Sequence, residues 1–414
     1  MQKYNILLLA IIILLFSSCQ KPVKKFKSTQ YIPTSKNFSF LNEALKDVKI
    51  LAIGESSHGF GSMQMMKGDL VKYLHEELDF DVLVMEAGFA DIGTAWKFAE
   101  MSTAKQMING TLPLNLRSEQ MLPLFEYIFE KNETEDPLAL EGMDPRISGF
   151  AFKYKLMYVI GRLEPKIIQD SIQSGLADFN KTFDVLDNRE QWQKYKDSYL
   201  GAIDLSKAIL LDSKEDIMDM ELAEEGEYKI LLKYLDMLVE LVDYNFGETY
   251  SKGLGIRDSL MAENVAFFIN KYPKAKIIIW GHNGHIEKGP GEGDNIKWLG
   301  HYLKERYKDD YYAMGMYAKK GFIYQTAERK ISNFDIVDPS FIEAKIDEDY
   351  GKNVFLDLPL FDETNTNWIN KPINGYELEA GGKVSFIPAK RFDGVILLGE
   401  TEAPKYMVES ATRR

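Results

Sequence analysis

The chain has one cysteine, Cys19, in 414 residues. That excludes an intramolecular disulfide, a Cys-ligated zinc site and a cysteine nucleophile inside a folded domain. Histidine is sparse too, with five in all, so imidazole chemistry must draw on a handful of positions. Three catalytic patterns are missing. There is no G-x-S-x-G for a serine nucleophile elbow, no H-E-x-x-H for a zinc hydrolase, and no G-x-x-x-x-G-K-[ST] for a phosphate loop. Basic residues are outnumbered, 50 against 63, for a formal net charge of −13. This argues against a nucleic-acid partner, because phosphate binding needs clustered Lys and Arg.

Only one apolar run stands out, residues 6–16, and it is too short for a comfortable transmembrane helix. It follows a basic start, Met1-Gln2-Lys3, and precedes Ser17-Ser18-Cys19. This order resembles a bacterial lipoprotein signal with a relaxed lipobox, Leu15-Phe16-Ser17-Ser18-Cys19. The resemblance implies cleavage before Cys19, lipidation of that residue and a membrane contact through it, with the protein lipid-anchored in the bacterial cell envelope, outside the cytoplasm. A plain secretory signal or an uncleaved anchor are the alternatives. The expected division is a signal peptide over 1–18, a polar, lysine-rich tether over 19–40, a catalytic domain over 41–402 and a basic tail over 403–414.

Beyond the tether the composition is that of a folded protein, 45% apolar and 27% charged. Short apolar runs alternate with helical patterns, which predicts an α/β fold with a central, mainly parallel sheet flanked by helices. The first strand, 50–53, ends in Gly54-Glu55-Ser56-Ser57-His58-Gly59, and a helix follows over 62–78. A strand over 81–85 ends in Glu86-Ala87-Gly88, and one over 137–140 in Glu141-Gly142-Met143-Asp144. Residues 152–247 are helical in pattern and predict a large insertion forming one wall of a cleft; its polar stretch 187–197 reads as a hairpin tip. A buried strand over 276–280 then ends in Gly281-His282-Asn283-Gly284-His285. Residues 289–294 form a glycine-rich loop. Strands over 311–317 and 322–326 are expected near the sheet edge, and further strands over 354–358, 384–387 and 394–398. His75 reads as an ordinary surface or packing histidine, and His301 as a surface one.

In open parallel sheets, ligands bind beyond the carboxyl ends of the strands. Glu55, His58, Glu86, His282 and His285 all stand at such ends. A histidine has a pKa near neutrality, and a carboxylate partner fixes its tautomer and raises its basicity. The set therefore suits water activated directly by histidine, with no serine, cysteine or required cofactor. The competing local reading is that Glu55 and Ser57 only cap the next helix. A divalent metal held by His58, His282 and His285 is a second alternative.

The motifs G-E-S-S-H-G (54–59), V-M-E-A (84–87), G-M-D (142–144), R-D-S-L-M-A-E-N (257–264), W-G-H-N-G-H-I (280–286), L-G-H-Y-L (299–303) and F-D-G-V-I-L-L-G-E-T (392–401), in this order and spacing, resemble the erythromycin esterase family. The resemblance implies an α/β core with a helical insertion, and hydrolysis of a small-molecule carboxylic ester, in named members a macrolactone. It implies His58 as the general base, Glu55 and Glu86 orienting it, and His282 and His285 binding or polarising the ester carbonyl. Asp144 and Arg257 are expected to support the cleft walls, and Lys67 is a minor candidate to face the site. The region after Trp96 departs from the macrolide esterases, which leaves the choice of ester open. A lipid-anchored protein that binds an envelope glycan or lipid and retains the fold is the alternative from a different class.

Overall fold

The computed structural model describes residues 24–25, 35–96, 102–181, 188–220, 225–246, 250–289, 296–326, 328–360 and 368–407. The signal segment, Cys19, most of the tether, positions 290–294 of the glycine-rich loop and most of the tail lie outside the described residues.

The strands in chain order are β1 (Lys24–Lys25), β2 (Ile50–Ile53), β3 (Phe80–Gly88), β4 (Ala139–Asp144), β5 (Lys276–Trp280), β6 (Tyr311–Ala318), β7 (Lys320–Gln325), β8 (Lys330–Asp335), β9 (Val354–Asp357), β10 (Ile373–Gly375), β11 (Val384–Phe386) and β12 (Gly394–Leu398). Eight of them form one sheet in the order β1-β9-β12-β6-β2-β5-β3-β4. The six strands from β12 to β4 run parallel, and β9 and β1 close one edge antiparallel. β7 pairs with β8, and β10 with β11, as separate antiparallel ribbons.

The central strands are nearly all apolar because both faces of the sheet are covered. Alternate residues point to opposite faces. Ala52, Val82, Val84, Ile277, Ile279, Ala313 and Val395 belong to one core layer. Leu51, Ile53, Leu83, Met85, Ile278, Trp280 and Met314 belong to the other. The second layer receives Leu70, Val71 and Leu74 of α1 (Gly61–Leu78). The first receives the long helices that separate β4 from β5. Truncating one fully buried member, as in Leu51→Ala, costs about 2–5 kcal/mol.

Besides the short helices Lys214–Met218 and Pro388–Arg391, the helices after α1 are α2 (Phe89–Ala95), α3 (Ala104–Thr111), α4 (Leu122–Asn132), α5 (Ala151–Leu163), α6 (Lys166–Lys181), α7 (Arg189–Asp212), α8 (Glu225–Phe246), α9 (Tyr250–Lys271), α10 (Asn283–Ile286), α11 (Leu299–Tyr307) and α12 (Ile342–Tyr350). The chain thus leaves the sheet after β4, builds a helical layer from α5 to α9, and returns in β5 between β3 and β2.

Five expectations need correction. β3 runs on to Gly88, so Glu86 lies within the strand. β4 runs from Ala139 to Asp144 because its pairing with β3 continues to Gly88 opposite Asp144. Glu141 is therefore mid-strand, held by Lys271 at 2.6 Å and Tyr272 at 2.8 Å, and does not end a strand. β6 is central, while β7 leaves the sheet to pair with β8. The polar residues from 189 to 197 are the first turns of α7, with Asn188 accepting a capping bond from Gln191; they form its wetter face. His301 is buried, 3.4 Å from Glu287.

Candidate active site

Strand register brings the ionisable residues together. Ile53 pairs with Trp280, Trp280 with Met85, and Met85 with Gly142. One step beyond this row, four adjacent strands deliver Gly54-Glu55, Gly281-His282, Glu86 and Met143-Asp144. The two histidine turns are stitched to each other. The Asn283 N–H donates to the Glu55 carbonyl (2.9 Å), and Gly281 N–H to Ile53 (3.2 Å). The Asn283 side chain accepts from and donates to the Met316 backbone. A Cβ on Gly54 would fall 2.1 Å from Asn283 Oδ1, so only glycine permits this approach.

His58 Nδ1 lies 2.6 Å from Glu55 Oε1, and Lys67 Nζ donates to Glu55 Oε2 (3.0 Å) and to the Gly281 carbonyl (3.2 Å). Glu55 and Lys67 are fully buried, and the ammonium also lies 4.3 Å from the centre of the Trp280 ring. Burial opposes the Glu55 charge, but Lys67 and His58 outweigh it and lower its pKa. Burial likewise opposes the His58 charge, but the hydrogen bond and charge of Glu55, with the charges of Glu86 and Glu379, raise it to about 9. A carboxylate only accepts, so Nδ1 carries the proton and Nε2 is the atom that titrates. The capping alternative fails: the cap of α1 is Phe60, and Ser57 Oγ donates to Glu379 (2.8 Å) instead.

The His58 and His282 rings are 5.5 Å apart. His282 Nδ1 accepts from the Gly284 N–H (3.2 Å). Its Nε2 is buried without a hydrogen-bond partner; Glu379 Oε2, at 3.6 Å, is too far for one. Glu379 Oε1 also accepts from the His58 backbone N–H (3.0 Å). Burial disfavours its charge, yet His282, His58 and Ser57 hold its pKa down to about 2.

Behind these groups lies a second, deeper set. Arg257 Nη2 donates to Glu86 Oε1 (2.8 Å) and Asp144 Oδ2 (2.6 Å), and Nε to Asp144 Oδ1 (3.2 Å). Glu86 Oε2 accepts from the His282 backbone N–H (3.0 Å). His285 Nδ1 meets Asp258 Oδ1 at 2.7 Å, and its Nε2 lies 2.9 Å from Arg257 Nη1 and 3.3 Å from Glu86 Oε1. Burial opposes the His285 charge, and Asp258 and Glu86 overcome it to raise the pKa to about 9. Nδ1–H donates to Asp258, and in the neutral ring Nε2 accepts from Arg257 Nη1–H; the acids favour a proton on Nε2, which would then face Glu86. Burial disfavours charge on Glu86, but His285, Arg257 and His58 hold its pKa well below the usual range. Glu86 touches no atom of the His58 ring by hydrogen bond; it acts on that ring through charge.

A cavity of about 610 Å³ lies between α2, α3 and α5, lined by Gln106, Asn109, Phe150, Tyr154 and Tyr158 among others. It includes none of the histidines, but it is tied to the same edge of the sheet. Phe150 N–H donates to Gly110, and Ser148 Oγ accepts from Gly88 N–H while donating to Thr111.

All five sequence candidates of the described chain therefore gather at one edge. Lys67 and Arg257 stand closer to the chemistry than expected. Asp258 and Glu379 were missed. Asp258 carried a signal, an Arg-Asp pair within the apolar middle of α9; Glu379, in a short turn between β10 and β11, carried none. His58, His282 and His285 do not converge as a metal site. Among the described residues, the donor atoms of three or more His, Cys, Asp or Glu side chains fall within 4.8 Å of one another only at His75, Asp81 and Asp136.

A family model described as erythromycin esterase matches residues 75–401, which includes the second histidine turn and begins after the first. YbfO of Bacillus subtilis (strain 168), to which a hydrolase activity is attributed, is 28% identical over 403 residues, covering 88% of this chain and 86% of its own. Erythromycin esterase type II of Escherichia coli is 23% identical, covering 73% and 78%. A solved structure of an erythromycin esterase EreC mutant in its open conformation superposes with a TM-score of 0.61 at 16% identity, covering 91% and 96%. This last likeness concerns the fold.

Proposed function

The chain belongs to the erythromycin esterase family, and from that membership we propose that it hydrolyses a carboxylic ester with water activated by His58. Hydrolase-named relatives support a hydrolase. The observation that carries the finer reading is the chain Lys67–Glu55–His58, buried at its root and open at the imidazole, facing the unpartnered Nε2 of His282 across 5.5 Å between ring centres.

Glu55 holds Nδ1–H, so the neutral ring presents the Nε2 lone pair to a water. That water attacks the ester carbonyl as its proton passes to His58 Nε2. With Nδ1 accepting from Gly284, His282 carries a proton on Nε2, and this donor stabilises the oxyanion. Collapse expels the alkoxide, which takes the proton from His58. Positioned base catalysis contributes about 10²–10⁴-fold, and one oxyanion donor about 10²–10³-fold. His285, Arg257, Asp144 and Asp258 are positioning residues that fix Glu86, which in turn holds the His282 backbone. The aromatic-lined cavity, of a size suited to a small molecule, takes the apolar part of the ester.

The test is hydrolysis of a macrolide and a panel of simple esters, followed by mass spectrometry, with His58→Ala and chelator-treated samples alongside. Addition of one water that vanishes in the variant and survives chelation supports the reading. No turnover of any ester by the wild-type protein rejects it.

We also propose that Cys19 anchors the protein in the cell envelope. Radiolabelled palmitate should enter the wild-type protein and be absent from Cys19→Ala, which should leave the membrane fraction. Equal labelling of both, or none in either, would refute the anchor.

A further inference from the structure

We propose that His75, Asp81 and Asp136 form a binding site for a divalent transition-metal ion of the zinc, cobalt and manganese kind. His75 lies in the last turn of α1, Asp81 is the second residue of β3, and Asp136 precedes β4. The site is thus at the amino ends of the parallel strands, on the opposite edge of the sheet from His58.

Two independent observations converge. One ligand atom from each side chain lies within 4.8 Å of those of the other two. Separately, His75 is only 3% exposed, and its Nε2 is buried with no hydrogen-bond partner. The ring orientation shows what that atom offers. His75 Nδ1 lies 2.7 Å from the Tyr127 hydroxyl. The charge of Glu76 also acts on that hydroxyl. The phenol oxygen can accept from His75 Nδ1–H. In the neutral ring this leaves a lone pair on Nε2, facing Asp136 Oδ1 at 3.7 Å.

A buried Nε2 that faces a carboxylate beyond hydrogen-bond range is left unsatisfied, and a cation held between the two would satisfy both. The spacing suits an ion. With metal–nitrogen and metal–oxygen bonds of about 2.0–2.2 Å, two ligands of one ion lie at most about 4.4 Å apart, so 3.7 Å is within reach. The remaining separations are at most 4.8 Å, a few tenths of an ångström beyond that reach, and Asp136, 67% exposed on its loop, is free to adjust its own. Lys131 Nζ is 3.9 Å from the other oxygen, Asp136 Oδ2, and leaves Oδ1 free to ligate. One imidazole and two carboxylates favour a borderline divalent ion over calcium or a copper(I)-type soft ion. The Tyr127 hydroxyl on Nδ1 is the outer support that a ligating histidine normally has. Bound there, the ion would tie α1, β3 and the loop before β4 together.

The test uses the purified untagged chain, stripped with chelator and dialysed. Zinc is titrated by calorimetry and cobalt by visible absorption, with the melting temperature recorded. One saturable equivalent, cobalt ligand-field bands and a raised melting temperature are expected. Asp136→Asn, at an exposed position, and Asp81→Asn should each weaken zinc by at least about tenfold, while His58→Ala should leave it unchanged. Absence of saturable binding overturns the proposal. So does binding unaffected by both Asp variants, or binding lost in His58→Ala, which would place the ion at the active site.

Discussion

Lys67 Nζ stands 3.0 Å from Glu55 Oε2, with both side chains fully buried beneath the first histidine turn. The other oxygen of that carboxylate holds His58. Lys67→Met should therefore strand a buried carboxylate and cost about 3–5 kcal/mol of stability. Urea denaturation measures it, and a loss below about 1 kcal/mol would contradict the pairing.

His58 is partly exposed and carries little of the core. His58→Gln should lower kcat/KM by about 10²–10⁴-fold and leave the melting temperature within a few degrees of wild type. Retained ester hydrolysis in a folded variant would remove His58 from the mechanism.

The raised pKa of His58, about 9 against an ordinary 6.5, makes the base form scarce at neutral pH, about one molecule in a hundred at pH 7. Activity should therefore climb with pH toward about 9. Stability should run the other way. The charged ring's attraction to Glu55 is fully present below about 6.5 and is lost as pH rises through about 9. Glu379→Gln removes one charge that raises His58, so the acid limb of the rate profile should move to lower pH. A profile flat between pH 6 and 9, or unmoved in the variant, would contradict this account.

Arg257 is the deep counterpart, facing Glu86, Asp144 and His285 at once. Arg257→Met leaves buried acids without their cation and should cost about 3–5 kcal/mol. Arg257→Lys should recover part of the stability but less of the activity, because an ammonium cannot reproduce the forked contacts that fix Glu86. Equal recovery of both would assign Arg257 a purely structural role.

The local sequence marked most of the sheet because a strand buried on both faces must be an unbroken apolar run, as at Ile50–Ile53, Lys276–Trp280 and Gly394–Leu398. It also placed His58 and His282, since polar turns after such runs are conspicuous. It misjudged β4 and β6. Glu141 looks like a strand end until Lys271, 130 residues away, neutralises it, and nothing within Tyr311–Ala318 tells a central strand from an edge one.

The sequence by itself determined that this protein is an α/β protein with two histidine turns at strand ends, because periodicity and turn chemistry are local. Only the tertiary structure decided which groups charge one another. Glu379 meets Ser57 and His58 across 322 and 321 positions, and Glu86 meets Arg257 across 171. Pairings at such range are set by strand order and register, which no stretch of chain encodes alone. They fix the protonation of His58, and with it the chemistry proposed for the site.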